Sequence, residues 1–218
     1  MIPKVIHCFW SGGPKTKLAE KCLASWRKFA PDHEIREWNP SNLTGSSSFF
    51  RDAVAARKWA MASDWARMAV LKEHGGIYLD LDVELVEPIE RLPKGEWVAG
   101  EWTAGGDVWM NPGGGIALEK GSAVAADMLE RYAGAAFDPQ REMMPWINEG
   151  LRGLKVLDPE VMSPIGVDGK LHRTEKTVGI HWYAMSWASP QRKLARWLSW
   201  HGLRPVVDTL LKIKGRLR

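Results

Sequence analysis

The sequence predicts an α/β fold, with a mixed, mostly parallel sheet and helices on both of its faces. Near the start, a short apolar run, a helical stripe and a second short run follow one another, and strand–helix–strand order implies a right-handed crossover. Further on, a helical run free of Gly and Pro passes through Gly75-Gly76 straight into a strand of alternating apolar and acidic residues. In such folds the ligand crevice lies outside the carboxyl ends of the strands. A chain of 218 residues that is 45% hydrophobic can bury one good core.

Taken in order, Val5 to Trp10 is an apolar run closed by Ser11-Gly12-Gly13-Pro14, which reads as a buried parallel strand entering a loop. His7 inside it reads as a satisfied core histidine. The expected helix from Thr16 to Phe29 carries Leu18, Cys22, Leu23, Trp26 and Phe29 on one stripe. Pro31 stops it, and Glu34 to Trp38 reads as a second strand. Asn42 to Ser48 is a polar loop. Trp59 to Glu73 is rich in helix formers, and the following glycines supply a left-handed stop. Glu87 to Pro93 reads as a turn and Trp97 to Glu101 as a strand. Gly105 to Leu118 joins a glycine-rich loop to a strand and lacks the Gly-Lys-Ser/Thr ending of a phosphate-binding Walker loop. Ser122 to Tyr132 is a helix.

The chemistry concentrates after the glycine stop. With period two, Ile77, Leu79, Leu81 and Val83 share one face of a strand, and Tyr78, Asp80, Asp82 and Glu84 share the other. Asp is a poor strand former and like charges repel, so Asp80 and Asp82 side by side need a reason such as a divalent cation. The competing reading is a solvated edge strand that uses charge to discourage pairing. A hard cation held by few carboxylates completes its shell with water and substrate phosphates, which makes a nucleotide-sugar site the leading hypothesis. Asp64 and Arg67 share one face of the preceding helix. They form either an ordinary ion pair or a grip on a sugar hydroxyl and a leaving oxygen.

The segment Ala62-Ser63-Asp64-Trp65-Ala66-Arg67 through Gly75-Gly76-Ile77-Tyr78-Leu79-Asp80-Leu81-Asp82 resembles the core of the DxD-containing glycosyltransferases of family 32. These include capsular-polysaccharide transferases and mannosyltransferases, and they are related to bacterial toxin glucosyltransferases. The resemblance extends to Ile2 through Gly13 and, more loosely, to His181 through Trp187. It implies a nucleotide-sugar-binding fold of the GT-A type and a Mn²⁺ or Mg²⁺ cofactor held by Asp80, Asp82 and His181. By the same resemblance Asp64, Arg67, Asp80 and Asp82 are catalytic. Trp10 stacks on the nucleobase, Asn111 lines the donor-sugar pocket, and Ser186 and Trp187 contact the diphosphate. Ser63 and Tyr78 belong with Asp64 and Arg67 on the donor side. Met144 to Gly150 departs from the family pattern where the acceptor is met, so acceptor residues stay open.

The implied reaction is a retaining transfer of a hexose from a UDP- or GDP-sugar to a glycan or lipid-linked acceptor in surface-polysaccharide synthesis. Two other classes compete. One is a Mg²⁺- or Mn²⁺-dependent nucleotidyl- or phosphotransfer enzyme using the same acidic strand. The other is a non-catalytic sugar- or membrane-binding protein that relies on the 13 Trp residues and a basic tail.

Charge is divided unevenly. Residues 1–187 carry 22 Lys and Arg against 25 Asp and Glu, whereas 188–218 carry 8 against 1, so the net +4 belongs to the tail. A net acidic body argues against a nucleic-acid reader. The expected division is a catalytic domain over 1–187 and a basic amphipathic helical extension over 188–218, in which Leu194, Trp197 and Leu198 lie beside Arg192, Lys193 and Arg196. That extension suits either an anionic membrane surface or packing on its own domain. With two Cys, no signal-peptide pattern and no apolar run of membrane-spanning length, the expected location is the cytoplasm, with the tail available to the inner face of the membrane.

Overall fold

The computed structural model describes residues 1–43, 47–103 and 105–184, together with Leu194 and Leu198. In chain order the elements are β1 (Val5–Phe9), α1 (Lys17–Phe29), β2 (Glu34–Trp38), α2 (Ser48–Ala55), α3 (Trp59–His74), β3 (Gly76–Tyr78), β4 (Val83–Leu85), β5 (Trp97–Trp102), β6 (Val108–Met110), β7 (Ile116–Leu118), α4 (Ala123–Gly134), α5 (Met143–Gly150), β8 (Lys155–Leu157), α6 (Pro159–Met162) and β9 (Gly179–His181). A 3-10 turn, Ile89–Arg91, lies in the expected turn before β5.

A seven-stranded sheet follows the path β2-β1-β3-β7-β5-β6, with β8 also on β5, and β4 pairs with β9 in a separate two-stranded sheet. The parallel pairs β1–β2, β1–β3 and β5–β8, combined with the antiparallel pairs of β7 to β3 and β5, set β2, β1, β3, β5 and β8 in one direction. Strands β7 and β6 run against them. The expected mixed, mostly parallel sheet is therefore present. Each face has its own core. Ile6, Cys8, Ile77 and Leu79 pack with Ala19, Leu23 and Trp26 of α1, while Phe9, Tyr78 and Ile116 pack under α2, α3 and α4.

Local chemistry fixes the boundaries. Thr16 caps α1 by accepting the Ala19 N–H at 3.1 Å, and the Trp26 indole donates to the Val83 carbonyl at 2.7 Å, tying α1 to β4. At the end of α3, Gly75 and Gly76 have φ of 66° and 111°. A Cβ on Gly76 would stand 2.6 Å from the Val5 carbonyl, so a side chain there would force β3 away from β1. Cys8 and Cys22 are free and buried, and burial pushes both thiols up. Among the described residues no helix is long and apolar enough to cross a membrane.

One expectation fails in form. The acidic strand is not continuous: β3 ends at Tyr78, the chain turns through Leu81-Asp82 with the Val83 N–H on the Asp80 carbonyl at 3.0 Å, and β4 joins the other sheet. The alternation survives because Leu79, Leu81 and Val83 are all buried. Helices α2, α5 and α6 and strands β8 and β9 were not foreseen, and a single strand was expected where β6 and β7 lie. Residues 44–46 of the polar loop and the whole basic extension apart from Leu194 and Leu198 lie outside the described residues.

His7 is the satisfied core residue expected. Its Nδ1 accepts the Trp38 indole N–H at 2.9 Å, so the proton sits on Nε2 and is donated to the Gly75 carbonyl at 2.8 Å. Burial lowers its pKa to about 4, against the opposing pull of the Gly75 carbonyl. The unfolded chain binds this proton below about pH 6.5 and the folded chain does not. Stability from this group is thus complete above that pH and is lost as pH falls toward 4, by roughly 3 kcal/mol. Denaturant titrations across that window should show the loss, and a His7→Met variant should show a correspondingly flatter slope.

Candidate active site

Helix α3 is buried almost all round, with Met61, Ala62, Trp65, Ala66, Met68, Val70 and Leu71 inside. Arg67 shares that burial at 2% exposure. A guanidinium withdrawn from water requires partners. It finds Asp64 Oδ1 at 2.8 Å one turn back, Asp80 Oδ1 at 3.3 Å just past β3, and the face of Tyr78, whose centroid lies 4.6 Å from Cζ. Among the described residues its Nε–H has no partner, nor does the Tyr78 hydroxyl.

The break after β3 carries Asp80 and Asp82 to one place. His181, at the end of β9, sets Nε2 3.3 Å from Asp82 Oδ1. One ligand atom from each of Asp80, Asp82 and His181 falls within 4.8 Å of the others. The chain then reverses through Tyr183, a non-glycine residue at φ 50°, whose ring stacks on His181 with centroids 4.1 Å apart. This turn directs the Ala184 N–H onto Asp82 Oδ2 at 2.7 Å. A left-handed tyrosine costs on the order of 1 kcal/mol. Here that cost buys nothing visible in the core and serves the site.

Opposite lies the loop from Asn111 to Gly115. Ala99 of β5 holds both of its ends, accepting the Asn111 N–H at 2.7 Å and donating to the Gly115 carbonyl at 2.8 Å. The Asn111 side chain is fully engaged: its oxygen accepts from Gly113 and Gly114 at 3.1 and 3.2 Å, and its NH₂ faces Glu101 Oε2 at 2.7 Å and His181 Nδ1 at 3.1 Å.

Charge is balanced unevenly across the cluster. Burial raises the carboxyl of Asp64 despite Arg67, and it raises that of Asp80, where Arg67 opposes and Asp82 adds to the rise. Burial also acts upward on Asp82, but His181 and the Ala184 N–H outweigh it and hold that carboxyl low. For His181 burial acts downward, and Asp82 and Asp80 more than compensate, raising its pKa. Two carboxylates and an imidazole, converging where like charges already strain against each other, fit a hard or borderline divalent cation such as Mg²⁺ or Mn²⁺.

The structure thus brings together Asp64, Arg67, Asp80, Asp82, Asn111 and His181. Trp10 is half-buried in the loop after β1, its indole donating to the Gly13 carbonyl at 3.0 Å, and the Ser63 hydroxyl donates to Ala60 at 2.8 Å. Tyr78 differs from expectation: at 1% exposure beneath Arg67, it acts on the site through the guanidinium and has no open face for a donor. Asn111, similarly, spends all its polar atoms on the loop, Glu101 and His181. Ser186 and Trp187 lie outside the described residues. Sequence reasoning missed Glu101, Tyr183 and the Gly113 contact. A lone Glu closing an apolar strand was the available signal for the first, and the others had none.

Gly113 provides a test. A Cβ there would stand 2.4 Å from Asp80 Oδ2, and Asp80 cannot retreat without leaving Arg67. Gly113→Ala should weaken Mn²⁺ binding about tenfold, ~1.4 kcal/mol, in calorimetric titration. It should lower the metal-free Tm by only a few degrees.

Residues 16–99 match the family described as the glycosyltransferase sugar-binding region containing the DXD motif. An uncharacterized glycosyltransferase, L373, of Acanthamoeba polyphaga mimivirus is 33% identical over 93 residues, covering 38% of this chain and 36% of the viral protein. Toxin Afp18 of Yersinia ruckeri serotype O1 is 32% identical over 119 residues, 53% of this chain and 5% of the toxin. The chain therefore spans well under half the length of either relative. Among solved structures, the PaToxG glycosyltransferase superposes with a TM-score of 0.54 at 22% identity over 69% of each chain, a likeness of fold. Asp64, Arg67, Asp80 and Asp82 all fall within the stretch that matches this sugar-binding region, and Asp80-Leu81-Asp82 is the one Asp-x-Asp sequence in it.

Proposed function

We propose that the protein is a metal-dependent, retaining glycosyltransferase that moves a hexose from a UDP- or GDP-sugar to a glycan or lipid-linked acceptor in surface-polysaccharide synthesis. The observation that carries this reading is the convergence of Asp80, Asp82 and His181 beside the Arg67–Asp64 pair, inside a DXD sugar-binding region.

The chemistry follows from where charge develops. As the bond between the anomeric carbon and the β-phosphate oxygen breaks, negative charge gathers on the diphosphate and positive character on the sugar. Asp80, Asp82 and His181 would hold a divalent cation, which would supply charge neutralisation for that leaving group. Arg67 is preorganised by Asp64 and Asp80, so its positive charge needs no rearrangement when the diphosphate departs. Among the described residues the other Asp64 oxygen has no hydrogen-bond partner, and it would accept a donor hydroxyl and fix the ring. The acceptor oxygen forms the new bond on the face the diphosphate leaves, and its proton passes to the departing phosphate oxygen. No side chain is assigned as a covalent nucleophile.

Donor contacts by Trp10, Ser63, Ser186 and Trp187 belong to this reading, as do the catalytic domain over 1–187 and the basic extension over 188–218. A cytoplasmic enzyme, held by that extension at the inner face of an anionic membrane, is consistent with the segregation of charge along the sequence.

A thermal-shift panel of UDP- and GDP-sugars with and without Mn²⁺ tests the proposal, because a ligand specific to the native state stabilises by about 2.7 kcal/mol at a hundredfold excess over Kd. One nucleotide class should give a Mn²⁺-dependent shift. Asp82→Asn, which keeps an acceptor for Ala184, should abolish it; an equal shift in that variant, or no shift for any donor, would sink the reading. The apparent Mn²⁺ affinity should also rise with pH through the raised pKa of His181, since metal and proton compete for Nε2.

A further inference from the structure

The sheet face that bears Asn111 continues outward to an exposed tryptophan. The register pairs Glu101 with Trp109 across β5 and β6, and the ladder runs on to Asn111 through its N–H bond to Ala99. Directly opposed residues of an antiparallel pair project from one face. The 2.7 Å bond from Asn111 Nδ2 to Glu101 Oε2 shows that Glu101 and Asn111 share that face, so Trp109 stands on it too. Trp109, Glu101, Asn111 and His181 thus form one row ending at the cation cluster.

Trp109 is 39% exposed, yet its backbone is firmly held. Asn148 of α5 accepts the Met110 N–H at 2.7 Å and donates to the Met110 carbonyl at 3.0 Å, taking the place of a neighbouring strand along the free edge of β6. An open indole on a fixed strand is a rigid platform. Its neighbour selects what can rest there. The Glu101 carboxylate repels a diphosphate and accepts hydroxyls, while the indole face suits the C–H surface of a pyranose.

We infer that Trp109 and Glu101 form the acceptor subsite, where an uncharged pyranose ring stacks on Trp109 and donates a hydroxyl hydrogen bond to Glu101. That the bound sugar is the acceptor rests on the transferase reading. That a sugar binds there does not. With Glu101 tied through Asn111 to His181, the ring is placed one row away from the departing diphosphate.

The test uses full-length protein labelled with 5-fluorotryptophan, with Trp109→Phe identifying the resonance, and the methyl glycosides of glucose, galactose and mannose as probes up to about 100 mM. At least one glycoside should shift the Trp109 resonance saturably, both in the native protein and in Asp82→Asn. As an acceptor, that glycoside should show a KM raised about tenfold by Trp109→Ala and largely restored by Trp109→Tyr. Absence of any Trp109 response, or an acceptor KM unmoved by Trp109→Ala, overturns the inference. A Trp109 response in a protein that shows no metal-dependent donor shift upholds the sugar subsite and overturns the transferase reading alone.

Discussion

The structure depends on keeping one positive charge out of water. Arg67 sits on the helix that the rest of the domain packs around, at a depth where an unpaired guanidinium would cost several kcal/mol. Its two carboxylate partners come from different elements, Asp64 from its own helix and Asp80 from the end of β3. The requirement therefore sets more than a local pair. Helix α3 must stop where it does, and β3 must return beneath it beside β1, for Asp80 to arrive within reach. The two glycines that permit this reversal, and Tyr78 lying flat under the guanidinium, serve the same end.

A second layer acts on the cluster from the opposite side. Ala99 pins the loop from Asn111 to Gly115, the loop packs against Asp80, and Asn111 orients His181. These residues hold the ligand atoms at fixed separations before any ligand arrives, which is the preorganisation that electrostatic catalysis requires. Glu101 belongs to this layer as well, and through its register with Trp109 the site reaches the edge of the sheet.

Much of this was legible in the sequence where a local rule and the tertiary structure agree. Thr16 marks the start of α1, and the alternation after Gly76 separates the buried Leu79, Leu81 and Val83 from Asp80 and Asp82 of the cluster. The same alternation hid the break at Leu81-Asp82, because a tight turn that changes sheets can preserve the side-chain parity of a strand. It also misled for Tyr78: parity puts Tyr78 and Asp80 on one face, but only α3 packing over that face shows that the first is covered and the second is not. Asn111 was expected to line the donor-sugar pocket, whereas its four bonds to partners in three segments, which no local pattern encodes, hold the loop and face His181. Helix α2 is short, and β8 and α6 draw their stability from neighbours rather than from a periodic signal.

The transfer of the chain from one sheet to the other between Asp80 and Val83 has a mechanical consequence. Asp80 is anchored to the large sheet through Gly113, whereas Asp82 and His181 belong to a single ladder in which Val83 opposes His181 and the Trp182 N–H bonds the Asp82 carbonyl. The latter two cannot separate without unzipping that ladder, and Val83 and Leu85 of the small sheet are buried in one core with Ile6 and Ile77 of the large sheet. The cluster is thus a seam between two sheets that share one core, with one candidate ligand on the large sheet and two on the small, and whatever occupies it bridges both.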